Sequence, residues 1–420
     1  MLISAACVNC PDEKVLYEVA TMRYVAANTT IPVPRIYHFG TAADNPLGLG
    51  PFIIMEYVEH EMTMSHALND PTLGPSDSHS LDPDIGAEKL EFLYSQMANI
   101  VLQLSRLTFP KIGSLQQHGG NGNFEVSGRP LIQNMNTMLE IGSIHPALLP
   151  SHPFQNSRDW YSAMADMHLN QFIFQRNDAI KDTDQLNDAR DKYMARQLFR
   201  RLAAENRLAP GFESDDGDEE GWASFRLYSE DLRPSNVLVD KDLRVVGVID
   251  WEFAYAAPSQ FAFDPPWWLL LKMPEDWPGG YIAWAEVYEP RLKTFLRVLE
   301  AEEEKARQVD DSGSTAASAN GASRPLSQRM RQSWESKTWM ISYAAKNSWV
   351  FDFIFWRFLD AKFFGPNEQA DHYARLDLLT LQETEAMERL VKTKVDENKE
   401  QTLNKWDYED AVAHLAKFMV

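Results

Sequence analysis

The chain has 420 residues, 44% of them hydrophobic and twelve of them Trp, enough for a sizeable globular core. Its 40 Lys and Arg against 61 Asp and Glu leave a formal net charge of −21, which argues against nucleic acid and anionic membrane as partners. No apolar run reaches the roughly eighteen residues of a membrane span, and Met1 to Val8 lacks the basic start of a signal peptide, so a cytoplasmic protein is expected.

Near the start, Val15, Val19, Met22 and Ala26 recur at helical spacing, with Asp12 as N-cap and Glu13 in the first turn. Lys14 and Glu18 lie one turn apart and read as an i,i+4 surface pair. Cys7 and Cys10 have the spacing of a redox motif but not its flanking residues, and two further zinc ligands are missing, so they read as reduced, incidental thiols. Gly48-Leu49-Gly50 reads as a turn before a strand at Phe52 to Tyr57, since a phosphate loop would need a further glycine and a following helix.

Residues 70 to 86 are rich in Pro, Asp, Ser and Gly and read as an exposed loop. Leu90, Leu93, Met97, Ile100 and Leu104 mark a helix over Lys89 to Leu107. Phe124-Glu125-Val126 is expected to return on Ile112 to Leu115 as a hairpin, and residues 157 to 206 carry helical patterns around Tyr161 to Leu169 and Tyr193 to Leu202. Glu213 to Glu220 is an acidic stretch, read as a solvated loop in preference to a rim that attracts a cationic substrate. Ala301 to Arg324 begins charged and continues in Ser, Ala and Gly, the composition of a flexible insertion. Met340, Ala344, Asn347, Phe351, Ile354 and Phe358 recur at four and three, with Trp349, Phe353 and Trp356 on the other side, and predict a buried helix. Gln382 to Val420 is helical and charged.

The densest chemistry lies in Tyr228-Ser229-Glu230-Asp231-Leu232-Arg233-Pro234-Ser235-Asn236-Val237-Leu238-Val239-Asp240 and the following Gly247-Val248-Ile249-Asp250-Trp251-Glu252. Two β-branched runs, Val237–Val239 and Val245–Ile249, flank a polar turn and predict a hairpin symmetric about residue 243. Asn236 and Asp250 would then face each other at its open end, about 5 Å apart at the backbone. An amide oxygen and a carboxylate that close can share a hard cation such as Mg²⁺. Asp231, just before the hairpin, would be placed to accept a proton from a hydroxyl.

These residues resemble the aminoglycoside phosphotransferase and choline kinase family, fungal type, a branch of the protein-kinase-like fold. Its motif is His-x-Asp-x-x-x-x-Asn, a strand, then Ile-Asp-Trp-Glu; Asp231, Pro234, Asn236, Asp250, Trp251 and Glu252 match, and Ser229 stands where the family has His. Supporting likenesses are Glu18 to Val25 with Ile31-Pro32-Val33-Pro34, Pro51 to Val58, Ile112 to Leu115 with Gly128 to Leu131, and Pro265 to Leu270. The resemblance implies an α+β, protein-kinase-like fold of two lobes. Residues 1–58 would be a reduced small lobe. Residues 59–420 would be a mainly helical catalytic lobe with flexible insertions near 70–86, 211–222 and 301–326.

It further implies Asp231 as catalytic base, Asn236 and Asp250 as Mg²⁺ ligands, and Met55, Glu56, Tyr57 and Val58 as the segment that holds the adenine of ATP. The family's glycine hairpin and its Lys strand have no counterpart before Glu18. Two functions therefore stand side by side: an ATP-dependent phosphotransferase acting on a hydroxyl of a small molecule, and a non-catalytic kinase-like binding protein.

Overall fold

A computed structural model describes residues 2–3, 10–119, 122–181, 183–208, 225–313, 324–400 and 405–419, with 2–3 and 310–313 described by backbone alone. Cys7 and the acidic stretch 213–220 lie outside these residues. The architecture is mixed α+β, mainly helical with small sheets. Two compact units form, one from residues 1–128 and 214–339, the other from 129–213 and 340–420.

All the described strands belong to the first unit. In chain order it runs β1 (Leu2–Ile3), α1 (Pro11–Asn28), β2 (Ile36–Gly40), β3 (Phe52–Met55), β4 (Met62–Thr63), α2 (Met64–Leu68), α3 (Ala87–Ser105), β5 (Thr108–Phe109), β6 (Ser114–His118) and β7 (Asn123–Gly128). The second unit contributes α4 (Gln133–Glu140), α5 (Ser157–Phe174) and α6 (Gln185–Ala204). The first then resumes with β8 (Phe225–Ser229), β9 (Val237–Val239), β10 (Val245–Val248), β11 (Ala254–Ala257), α7 (Ser259–Phe263), α8 (Gly280–Gly313) and α9 (Leu326–Ser336). From α10 (Trp339–Lys346) the chain continues through α11 (Phe351–Ile354), α12 (Asp360–Phe364), α13 (Leu381–Glu400) and α14 (Tyr408–Leu415).

In the first unit β3 is the centre of an antiparallel β1-β3-β2 sheet. Val15 and Val19 of α1 pack on Ile53 of that sheet, with Ile36, Phe39 and Met55 at the margin. A strand thus does precede α1, although neither Leu2 nor Ile3 is the Lys that the resemblance called for. Two further sheets, β10-β9-β4 and β11-β8-β5, carry the hairpin and the strand before it, and β6 pairs with β7 as the sequence predicts. Gly48 and Gly50 sit at φ 64° and 88° in a turn, also as predicted.

Some expectations are corrected. The cap of α1 is Cys10, in left-handed geometry; Asp12 lies inside the first turn, where its Oδ1 accepts from the N–H of Ala42 at 2.7 Å. Ala26 is exposed and Val25 fills the apolar face instead. Helix α8 runs on through Gly313, across the start of the segment read as a flexible insertion. Glu302 and Glu303, expected in solvent, are buried and accept hydrogen bonds from Asn99 and Ser327.

In the second unit α5 packs along α6, and α13 lies on α6. The helix expected over 340–358 is broken at Asn347, whose Oδ1 accepts from the N–H groups of Trp349 and Val350. Beyond α11, Phe355–Leu359 is π-helical. Phe351, Ile354 and Phe355 are buried, as their periodicity implies, while Phe353 is exposed. No helix among the described residues is long and apolar enough to cross a membrane.

Candidate active site

Strand β8 pairs with β11 on one side and β5 on the other, so the loop that follows Ser229 leaves from a strand fixed on both edges. Alternate residues Phe225, Leu227 and Ser229 point inward. Ser229, which stands where the resembled motif has His, is buried. The loop then closes on itself. Asn236 Nδ2 donates to both the main-chain oxygen and Oδ2 of Asp231, each at 2.9 Å. The other carboxylate oxygen of Asp231 pairs with Arg233 Nε at 2.9 Å. Both oxygens of Asp231 are therefore oriented before any substrate arrives. Pro234 starts the 3₁₀ turn that brings Asn236 back, where its preset φ suits the first helical position.

The hairpin forms, with Val248 opposite Val237 and Gly247 opposite Leu238. A bulge between Val245 and Gly247 shifts the register, so Ile249, and not Asp250, is the residue whose N–H meets the main-chain oxygen of Asn236, at 2.9 Å. Asp250 follows in left-handed geometry at φ 63°. Burial, then the charges of Glu252 and Asp231, push the Asp250 carboxyl up to about 6. Trp251 is fully buried and anchors the turn through Nε1 to the oxygen of Val248 at 3.0 Å.

Sequence reasoning missed what meets this segment from α1. Lys14 is buried and its Nζ pairs with Glu252, also lying 5.4 Å from the ring centre of Phe253. The surface pair expected between Lys14 and Glu18 is thus corrected: both side chains face inward, toward Asp250, Trp251 and Glu252. Glu18 accepts from the backbone N–H of Trp251, and its carboxyl is raised to about 8 by burial, then by Asp250 and Glu252, with Lys14 opposing. The signal was present, since positions 14 and 18 share a helix face adjoining the apolar residues 15 and 19.

Whether these groups suit a hard cation is a matter of donor chemistry. The Nδ2 of Asn236 is committed to Asp231, leaving its Oδ1 as an acceptor, and Asp250 is a partly desolvated carboxylate with excess negative charge around it. Ser235 Oγ, next in sequence to Asn236, is buried without a hydrogen-bond partner. No set of three His, Cys, Asp or Glu among the described residues could enclose a metal. One amide oxygen and one carboxylate nonetheless suit Mg²⁺, which is commonly held by one or two protein carboxylates plus phosphate oxygens.

Met55 ends β3, and Glu56, Tyr57 and Val58 continue beyond it. Glu56 N–H donates to the oxygen of Arg35 at 2.8 Å, and the Tyr57 ring is largely exposed. Val58 packs toward Gly247, where an added Cβ would come within 3.1 Å of it, so the segment borders the hairpin.

No family model matches this chain, and no curated protein does. Among solved structures, the chain is similar to a crystal structure from Ralstonia eutropha JMP134 named "putative aminoglycoside phosphotransferase", at 14% identity and a TM-score of 0.30, over 80% of this chain and 83% of that one. A score that low does not establish a shared fold.

Proposed function

We propose that the chain is a kinase-like phosphotransferase that moves the γ-phosphoryl group of ATP to a hydroxyl of a small molecule. The observation that carries this reading is the grouping of Asp231, Asn236 and Asp250 around the mouth of one hairpin, with Asp231 already oriented by Asn236 and Arg233. In the reaction the bond from the γ-phosphorus to the bridging oxygen of ATP breaks, and a bond to the acceptor oxygen forms. The acceptor's proton passes to Asp231. Asn236 and Asp250 would hold Mg²⁺, which when bound neutralises charge on the phosphates. The main chain of Met55 to Val58 would receive the adenine. Such chemistry depends on positioning and charge more than on covalent steps, which suits a site whose residues are fixed by one another.

Two observations favour a second reading, a kinase-like protein that binds without catalysis. The Lys14 ammonium is committed to Glu252, and Ser229 replaces the His of the family motif.

Thermal denaturation with and without MgATP tests the first reading. At a ligand concentration about a hundred times Kd, binding adds about 2.7 kcal/mol of stability. The wild type is expected to show an upward Tm shift corresponding to that stabilisation, lost in Asp250→Ala and retained in Asp231→Ala, whose role begins only with the acceptor. No shift in the wild type at millimolar MgATP would sink the phosphotransferase reading.

A further inference from the structure

Between α2 and α3 the chain makes an excursion from Asn69 to Asp82 whose neck is closed by main-chain bonds. Asn69 and Leu81 form a bridge, Asp70 N–H donates to the oxygen of Ser80 at 2.8 Å, and Asp82 N–H donates to that of Leu68 at 3.0 Å. Two imidazoles stand at this neck, His66 on α2 and His79 on the returning arm, with ring centres 4.4 Å apart. The proposed phosphoryl transfer uses neither.

A run of three hydrogen bonds joins the two rings. His66 Nδ1 meets Thr63 Oγ1 at 2.7 Å, Thr63 Oγ1 meets Ser65 Oγ at 2.9 Å, and Ser65 Oγ meets His79 Nδ1 at 3.0 Å. Each bond needs one proton. The two hydroxyls supply two, so one ring donates from Nδ1 and the other accepts there. A second Nδ1 proton has no place in the run. In one arrangement Ser65, which is buried and meets no other partner among the described residues, keeps an idle hydroxyl proton. In the other, Thr63 Oγ1 must accept from Ser65 as well as from the main-chain and ring N–H groups of His66, one donor more than its lone pairs.

Charging both rings requires that second proton and adds the repulsion of two cations in contact, so the closed neck admits one charge and resists the next. Among the described residues no carboxylate pairs with either ring. Asp70 accepts from Thr72, Asp77 from the N–H of Gly74, and Asp82 from that of Asp84. β4, β9 and the 3₁₀ turn begun at Pro234, which pack on α2 or on β4, carry no ionisable side chain. Beyond their ends, Glu61 is exposed and Asp240 is turned onto the N–H groups of Asp242 and Arg244. Burial, then the charge of His66, holds the His79 imidazole below its usual range.

We propose that His66 and His79 form an acid-released latch on the 69–82 excursion, closed while the pair carries no more than one charge and open once both rings are charged. An imidazole in the open form titrates at the ordinary value of about 6.5. As pH falls through that value the open form takes up a proton that the closed form refuses, and the closed form loses stability. Amide hydrogen exchange of the full chain tests this, read over residues 69–82 and corrected for the intrinsic effect of pH. Between about pH 7.5 and about pH 5, protection is expected to fall about tenfold in the wild type, the weight of one proton held off over one pH unit. It should change by less than about twofold in His66→Gln and in His79→Gln. His66 is exposed, so the first variant is expected to fold. Asp70 stays ionised over that range, because Thr72 holds its carboxyl below the usual value. Unchanged protection in the wild type would overturn the proposal, as would an equal fall in His66→Gln. So would an equal fall over α3, which would mark a loosening of the whole unit in place of a local release.

Discussion

Buried charge is handled in opposite ways by the two units. In the second, Arg375 meets Asp360 through two parallel bonds at 2.7 and 3.1 Å, and Asn367 adds a third donor to the same carboxylate. Lys394 is fully buried there, with its ammonium given to the oxygens of Ile173 and Gln175 and to Glu397, all within 2.8 Å. In the first unit, four carboxylates, Glu18, Asp231, Asp250 and Glu252, are opposed by Lys14 and Arg233, and two of the four are pushed up toward neutrality. Groups that serve only to hold a fold are matched to their neighbours. A cluster left with surplus like charge lowers stability, and under the proposed function that surplus is what a bound cation would answer.

The largest effect should come from breaking a matched pair. Asp360→Ala strands Arg375 in the core and is expected to cost about 3–5 kcal/mol in urea denaturation. A loss below about 1 kcal/mol would dissolve the contrast. The unmatched cluster should behave in the opposite sense. Glu18 has its carboxyl raised from 4.5 to about 8, so between those values the folded state holds a proton that the unfolded state has lost. Wild-type stability must then fall as pH rises through that window and level off above it. Glu18→Gln lacks that slope, and should gain on the wild type by on the order of 3 kcal/mol between about pH 5 and pH 8. Parallel stability curves for the two proteins would show that Glu18 carries no such burden. The smallest effect is expected at the surface: Glu388→Gln, which removes the charge and one of the two acceptors that meet Arg190, should cost about 0.5 kcal/mol and less in high salt.

Much of the framework was legible because it is local. The β9–β10 hairpin follows from two apolar runs around a polar turn, and α3, α5 and α6 follow from helical spacing. What escaped was set by distant residues. Gln96 of α3 holds the hairpin turn, accepting from the N–H of Val245 at 2.8 Å and donating to the oxygen of Leu243 at 2.9 Å, next to the bulge that moves Asp250 one place from Asn236. The continuation of α8 past Ala301 depends on Asn99 and Ser327, which the local composition does not mention. Lys14 and Glu18 looked like an exposed pair because Glu252, the partner that draws Lys14 inward, lies near the middle of the chain. The motif residues of the candidate site were readable one by one; their mutual orientation, above all Asn236 turned onto Asp231, was not.

The left-handed backbone at Asp250 restricts which descendants of this sequence are open to drift. Asn and Gly adopt that geometry readily, and Asn keeps the shape while discarding the charge. Glu retains the charge but fits the backbone poorly. Under the proposed function, a lineage abandoning the chemistry would therefore have an easy exit at this position, whereas one preserving it would have almost no synonym for aspartate.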